Sequence, residues 1–170
     1  MQQNDGNQMR VEANTGMQIS KTDTDMEVQI FKMSTDDVDR VVEIEQECFS
    51  MPWTKQSFLE ALKQNNAFYY VAKYGAEIVG HCGAYGVCGE GSINQVAVTN
   101  EYRRCGIARQ MVSTMMEEMK KHGFLEITLE VRVGNTSAIA LYESLGFVQE
   151  GIRKNFYEKP TEDAIIMWKR

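Results

Sequence analysis

A chain of 170 residues has the length of one domain, and 43% hydrophobic with 25% charged residues is an ordinary globular balance, enough for a core without disulfide or metal staples. The net charge of −6 makes a poor general binder of nucleic acid, whose phosphates require Lys and Arg, and suits a basic partner better. No run of about 18 apolar residues offers a membrane span, and Cys48, Cys82, Cys88 and Cys105 form no CxxC pair, so they read as reduced thiols of a cytoplasmic protein.

Residues 1–27 are polar, rich in Gln, Asn, Asp and Thr, and lack the apolar centre of a signal peptide; they read as a disordered tail before a domain over 28–170. Val28 to Met33 has strand character. Ser34 or Thr35 then caps a helix carrying Val38, Val41, Val42 and Ile44 to about Cys48, with Asp36 and Asp37 at its positive end. Pro52 breaks the pattern, and Thr54 restarts a helix with Phe58, Leu59 and Leu62 on its apolar face. Ala67–Lys73, Ile78–Val87 and Ser92–Val98 read as strands joined by turns at Tyr74–Glu77 and Cys88–Gly91, an antiparallel meander.

The periodicity then changes. Gly106 to Lys121 reads as a helix with a broad stripe of Ile107, Ala108, Met111, Val112, Met115, Met116 and Met119, ended by Gly123. Leu125, Ile127, Leu129 and Val131 alternate with Glu126, Thr128 and Glu130, a strand with one polar face. Asn135 caps a short helix stopping at Gly146, and Phe147–Ile152 and Asp163–Trp168 are the last strands. The fold class is α/β: a mixed, mostly antiparallel sheet flanked by helices in a single domain. No zinc-like spacing joins a histidine to a cysteine pair, since adjacent His81 and Cys82 suit opposite faces of a strand; no metal is expected.

The stretch from Val96 to Arg109 is the most informative. A hydrophobic strand, Val96-Ala97-Val98, enters a basic loop whose Gly106 opens the long helix. Unpaired N–H groups and the helix dipole make an anion site there, Gly106 permits close approach of a phosphate, and Arg103, Arg104 and Arg109 add charge. A capped helix with a solvated basic loop satisfies the same residues. Neither a Walker A ending nor GxGxxG is present.

Arg103-x-x-Gly106-x-Ala108 after that strand resembles the acetyl-CoA loop of the GNAT superfamily, Q/R-x-x-G-x-G/A. The run from Leu129 to Phe147, with Pro52-Trp53 and Asp163–Met167, is similar to the ribosomal-protein alanine N-acetyltransferases of the RimI type, over roughly Val28 to Arg170. Departures are Cys105, where a basic or polar residue is usual, Ala108, where glycine is commoner, and the tail, which has no counterpart in the family pattern.

That resemblance implies an enzyme that moves the acetyl group of acetyl-CoA to the N-terminal α-amine of a protein, a ribosomal-protein alanine being the implied acceptor, by direct attack and without an acetyl-cysteine. An α-amine, with a pKa near 8 against about 10.4 for lysine, is the easier nucleophile at neutral pH. Glu130 matches the family's general base; the same position also suits a solvated strand carboxylate. Tyr142 matches the general acid that protonates the thiolate, and its spacing with Ile139 and Leu145 also suits a buried helix face. Implied cofactor contacts are Val96, Ala97, Val98, Arg104, Cys105, Gly106, Ile107, Ala108, Arg109 and Asn135, the last equally a plain N-cap. Trp53 would wall a peptide groove or close a core edge, and Tyr157, Glu158, Glu162 and Asp163 would greet a basic peptide or form a solvated loop. The protein is read as a monomer without nucleic-acid or membrane partners. Other readings are a GNAT acting on lysine or a small-molecule amine, a CoA-binding module without catalysis, and a peptide-binding scaffold without CoA affinity.

Overall fold

In the computed structural model, which describes residues 27–170, strands β1 (Val28–Lys32), β2 (Ala67–Tyr74), β3 (Glu77–Val87) and β4 (Glu90–Val98) pair successively as an antiparallel meander. The expected tail, apart from Glu27, lies outside the described residues. Strand β5 (Glu126–Arg132) lies parallel to β4, which requires a crossover, and helix α3 (Ile107–Lys121) supplies it. Helix α4 (Thr136–Ser144) follows, and the hairpin of β6 (Val148–Glu158) and β7 (Thr161–Lys169) completes a seven-stranded sheet in the order β1-β2-β3-β4-β5-β7-β6.

Two cores cover the sheet. On one face Met111, Val112, Met115 and Met119 of α3 pack with Tyr142 of α4 over Ile93, Ile127, Leu129 and Val131. On the other face helices α1 (Val38–Cys48) and α2 (Lys55–Ala61) bring Val38, Val41, Ile44 and Phe58 over Tyr69, Val71 and Ala97. Strand alternation therefore assigns each β5 residue a side: Ile127, Leu129 and Val131 face α3, and Thr128 and Glu130 face the α1–α2 side.

Three boundaries differ from the sequence reading. Strand β4 starts at Glu90, because the turn needs only Cys88 and Gly89, both at positive φ, the geometry that suits a two-residue hairpin. Leu125 precedes β5 and is 65% exposed, outside the buried alternation. The last hairpin is longer than expected: residues 157–163 are mostly strand, because cross-strand pairs Tyr157↔Glu162 and Glu158↔Thr161 continue almost to the tip.

Ser34 and Asp37 close the entrance to α1. Asp37 Oδ2 accepts from the Ser34 N–H at 2.8 Å and hydroxyl at 2.9 Å, and Oδ1 accepts from Lys73 Nζ at 2.8 Å. Burial alone would raise the Asp37 carboxyl, but the Lys73 and Ser34 hydrogen bonds outweigh it and hold the group below the usual carboxylate range. A depressed carboxylate stabilises the fold fully above its unfolded value, near 3.9, and loses that stabilisation as pH falls through the folded value. Asp37→Asn is thus expected to cost about 2 kcal/mol at neutral pH. Urea midpoints of variant and parent should converge as pH drops below about 4.

Candidate active site

Strands β4 and β5 pair only from Glu90↔Glu126 to Ile93↔Leu129. Beyond that, β4 runs on to Val98 held by β3, and β5 runs on to Arg132 held by β7. The two strands part, leaving the β5-facing edge of Asn94–Val98 without a strand partner among the described residues. A β-bulge contributes: Ile93 pairs with Ala84 and Gln95 with Gly83, so Asn94 is the extra residue. Exposed backbone N–H and C=O groups in such a cleft can pair with an extended chain carrying amides.

The mouth of this cleft is the basic loop. Arg104 and Gly106 both take left-handed conformations, φ 65° and 79°. The first helix-start amide with a protein acceptor is Gln110 N–H, to Gly106 O at 3.1 Å. The N–H groups of Ile107, Ala108 and Arg109 have none among the described residues, so they form a concave set of donors at the positive end of a fifteen-residue helix. Buried Ile107 anchors the helix, Ala108 is half-buried, and Arg104 and Cys105 are exposed. The loop therefore has the geometry of an anion site, which the sequence alone left level with a plain capped helix.

The arginines differ in what they do. Arg103 folds back along its own loop: its Nε donates to Val98 O at 3.0 Å and its Nη2 lies 3.5 Å from Cys48 Sγ. It staples the loop to the end of β4 while the residue stays exposed, so its charge remains at the loop. Arg109 donates to Ser144 Oγ at 2.6 Å, tying α3 to α4, so its backbone amide, more than its charge, is presented at the helix start. Val96 and Val98 pack toward the α3 core, and Ala97 toward the α1–α2 core.

Across the cleft, the Glu130 side chain is 24% exposed and its Oε1 lies 3.1 Å from Arg153. Tyr157 donates its hydroxyl to the Glu130 carbonyl oxygen at 3.2 Å, and the Arg132 guanidinium lies 4.1 Å over the Tyr157 ring. Arg132 also pairs with Glu162 at 2.9 Å, and Glu162 accepts from the Gly134 N–H at 2.7 Å. Strand β6 thus leans on β5 just where β5 leaves β4. Asn135 caps α4 through Oδ1, accepting from Ala138 N–H at 3.2 Å. Tyr142, 7% exposed, packs its ring edgewise on Phe147 at 5.7 Å. Burial pushes its hydroxyl well above the ordinary tyrosine range, with Cys82 and Tyr157 adding to the effect, so the phenol stays protonated.

Glu130 faces the α1–α2 side and Tyr142 faces the α3 side, so the two lie on opposite sides of the sheet where the strands part. On the Glu130 side, Trp53 packs at a tilt against Phe58 and Tyr69, with centroids at 5.4 and 6.2 Å, joining the core and lining the surface at once. The loop before it meets the last hairpin through Ser50 Oγ and Lys159 O. Arg153 and Tyr157 as neighbours of Glu130 were not legible, because the sequence reading stopped the strand at Ile152. Among the described residues no three His, Cys, Asp or Glu side chains gather as a metal site.

A family model described as the acetyltransferase (GNAT) family matches residues 38–147. A ribosomal protein bS18-alanine N-acetyltransferase of Escherichia coli (strain K12) is 34% identical over 142 residues, 81% of this chain and 94% of that protein. A Bacillus subtilis (strain 168) protein, whose name gives the same activity provisionally, is 38% identical over 137 residues, 80% of this chain and 91% of its own. The crystal structure of the ribosomal-protein-S18-alanine N-acetyltransferase from Escherichia coli superposes with a TM-score of 0.76 at 31% identity, covering 84% of this chain and 92% of that one.

Proposed function

The chain belongs to the acetyltransferase (GNAT) family, and from that premise we propose that it transfers the acetyl group of acetyl-CoA to the N-terminal alanine α-amine of ribosomal protein bS18. The observation that carries this reading is the parting of β4 and β5 with a ring of free helix-start amides at its mouth. The cleft edge suits the amides of a pantetheine arm, and the amides of Ile107, Ala108 and Arg109 suit the pyrophosphate it ends in. Likeness to relatives with that activity supports the acceptor.

In this mechanism the backbone of Val96, Ala97 and Val98 aligns the thioester, and an N–H there stabilises the oxyanion formed as the amine attacks. Glu130, directly or through one water, takes the proton that the amine sheds as the C–N bond forms. Tyr142 gives its hydroxyl proton to the sulfur as the C–S bond breaks. Arg104, Cys105, Gly106, Ile107, Ala108 and Arg109 hold the phosphates, and Asn135 borders the CoA arm while capping α4. Two expectations follow. A valine at Gly106 is strained at φ 79°, although open space surrounds its Cβ. Gly106→Val should weaken CoA binding by about tenfold or more in calorimetry, with a stability cost of only about 1–2 kcal/mol. Tyr142→Phe should lower kcat by roughly tenfold, at the low end for acid catalysis, because a thiolate with a pKa near 8.5 leaves with little help at neutral pH.

The experiment is a transfer assay with acetyl-CoA and three hexapeptides: one beginning Ala-Arg, the same with a blocked N-terminus, and one offering only a lysine amine. Acetylation confined to the free N-terminus supports the reading. Modification of the lysine peptide moves the acceptor class to side-chain amines, and no turnover with CoA still bound leaves a binding module.

A further inference from the structure

The bulge at Asn94 places two successive side chains, Asn94 and Gln95, on the face of β4 that Glu130 shares on β5. Asn94 finds a partner, donating from Nδ2 to Tyr69 Oη at 3.2 Å. Gln95 does not. It is 6% exposed, and neither its Nε2 nor its Oε1 has a hydrogen-bond partner among the described residues. A buried amide left unpaired destabilises the fold that holds it, so both of its polar atoms call for a ligand group. Its surroundings narrow the choice. Gln95 stands opposite Gly83, where a Cβ would come within 2.2 Å of the Tyr69 ring, so the aromatic wall of Tyr69 with Trp53 and Tyr85 lies directly beside it. On its other flank β4 has no strand partner at Gln95 among the described residues.

We propose that Gln95 is a specificity-determining residue whose side-chain amide hydrogen-bonds the first peptide group of the acceptor. This rests on the α-amine reading and extends it. A primary amide carries both a donor and an acceptor, and the group adjoining a protein's α-amine, one carbon away, is a peptide with a C=O and an N–H. A lysine side chain offers only methylenes at that distance and would leave Gln95 unpaired. Sites with a buried polar group discriminate most strongly against ligands that cannot satisfy it. Gln95 thus separates α-amines from side-chain amines, while Glu130 serves either.

The test compares two acceptors, the Ala-Arg hexapeptide and its analogue with an alkene in place of the first peptide bond, in the full chain and in Gln95→Leu and Gln95→Met. The parent should prefer the peptide by roughly 10–100-fold in kcat/KM. Both variants should lose most of that preference through the peptide's kcat/KM, with the KM for acetyl-CoA and the Tm held or, for the Tm, raised. An unchanged preference in both variants overturns the inference and leaves the α-amine reading standing. A fall in Tm in both variants also overturns it, because the amide is then bonded inside the fold. Failure of the parent to acetylate the hexapeptide overturns the inference together with the reading beneath it, and is seen before any variant is compared.

Discussion

Glu130→Gln should lower kcat roughly a hundredfold while CoA affinity stays within about twofold of the parent. The substitution keeps the volume and a hydrogen-bonding oxygen for Arg153, which lies 3.1 Å away, and removes only the capacity to hold a proton. The backbone contact from Tyr157 uses the Glu130 carbonyl and is untouched, so β5 and β6 remain joined. Removing a base from its proton-transfer step forfeits about 2–3 kcal/mol of transition-state stabilisation, of the order general base catalysis contributes. Thiol release under saturating acetyl-CoA and hexapeptide gives kcat, and titration calorimetry gives CoA affinity. Unchanged kcat would remove Glu130 from the reaction and point to bulk water as the proton acceptor. A proportional loss of CoA affinity would instead mark Glu130 as part of the cleft wall.

The elements that position this site follow local rules, which is why they were legible. Thr54 and Asn135 act as the caps their residue types favour, bonding Ser57 N–H and Ala138 N–H. The methionines of α3 fall on one stripe because 3.6-residue periodicity survives in any fold that buries the helix on one side. Glu130 was assignable to the polar face of its strand from alternation alone. What could not be read depended on contacts distant in sequence. The bonds that hold Arg103 against the end of β4 require Val98 O and Cys48 at the end of α1, 55 residues away along the chain. The extension of the last hairpin past Ile152 is set by pairing with β7, across a stretch whose Lys, Asn and Pro weigh against strand on propensity. The parting of β4 from β5 has no local signature either, since a strand that loses one neighbour keeps the same apolar alternation. The unpaired amide of Gln95 follows from that parting and from a one-residue bulge, neither of which any residue pattern announces.

Stability should be most sensitive at Glu45. This carboxylate is 1% exposed in the core between α1 and the sheet; its Oε2 accepts from the Trp53 N–H at 2.9 Å, and its Oε1 lies 3.1 Å from His81 Nε2, out of line for a hydrogen bond. His81 is wholly buried, with the Phe58 ring edge-on at 5.7 Å. Glu45→Ala strands the Trp53 amide, leaves buried His81 Nε2 without the oxygen that lies 3.1 Å from it, and opens a cavity, three losses that the apolar surroundings cannot repair. The expected cost is about 3 kcal/mol, which for a chain of this size lowers Tm by roughly 6–12 °C. Glu43→Ala on the same helix, where the side chain is 62% exposed, should change stability by no more than about 0.5 kcal/mol. Because Glu45 fixes the backbone of the segment that carries Trp53 over the Glu130 face, the weakened protein should also show a raised KM for the hexapeptide with the KM for acetyl-CoA unaltered. A Tm within about 2 °C of the parent would mean that water entering the cavity satisfies both stranded groups, and that Trp53 is held by its packing on Phe58 and Tyr69 rather than by its amide.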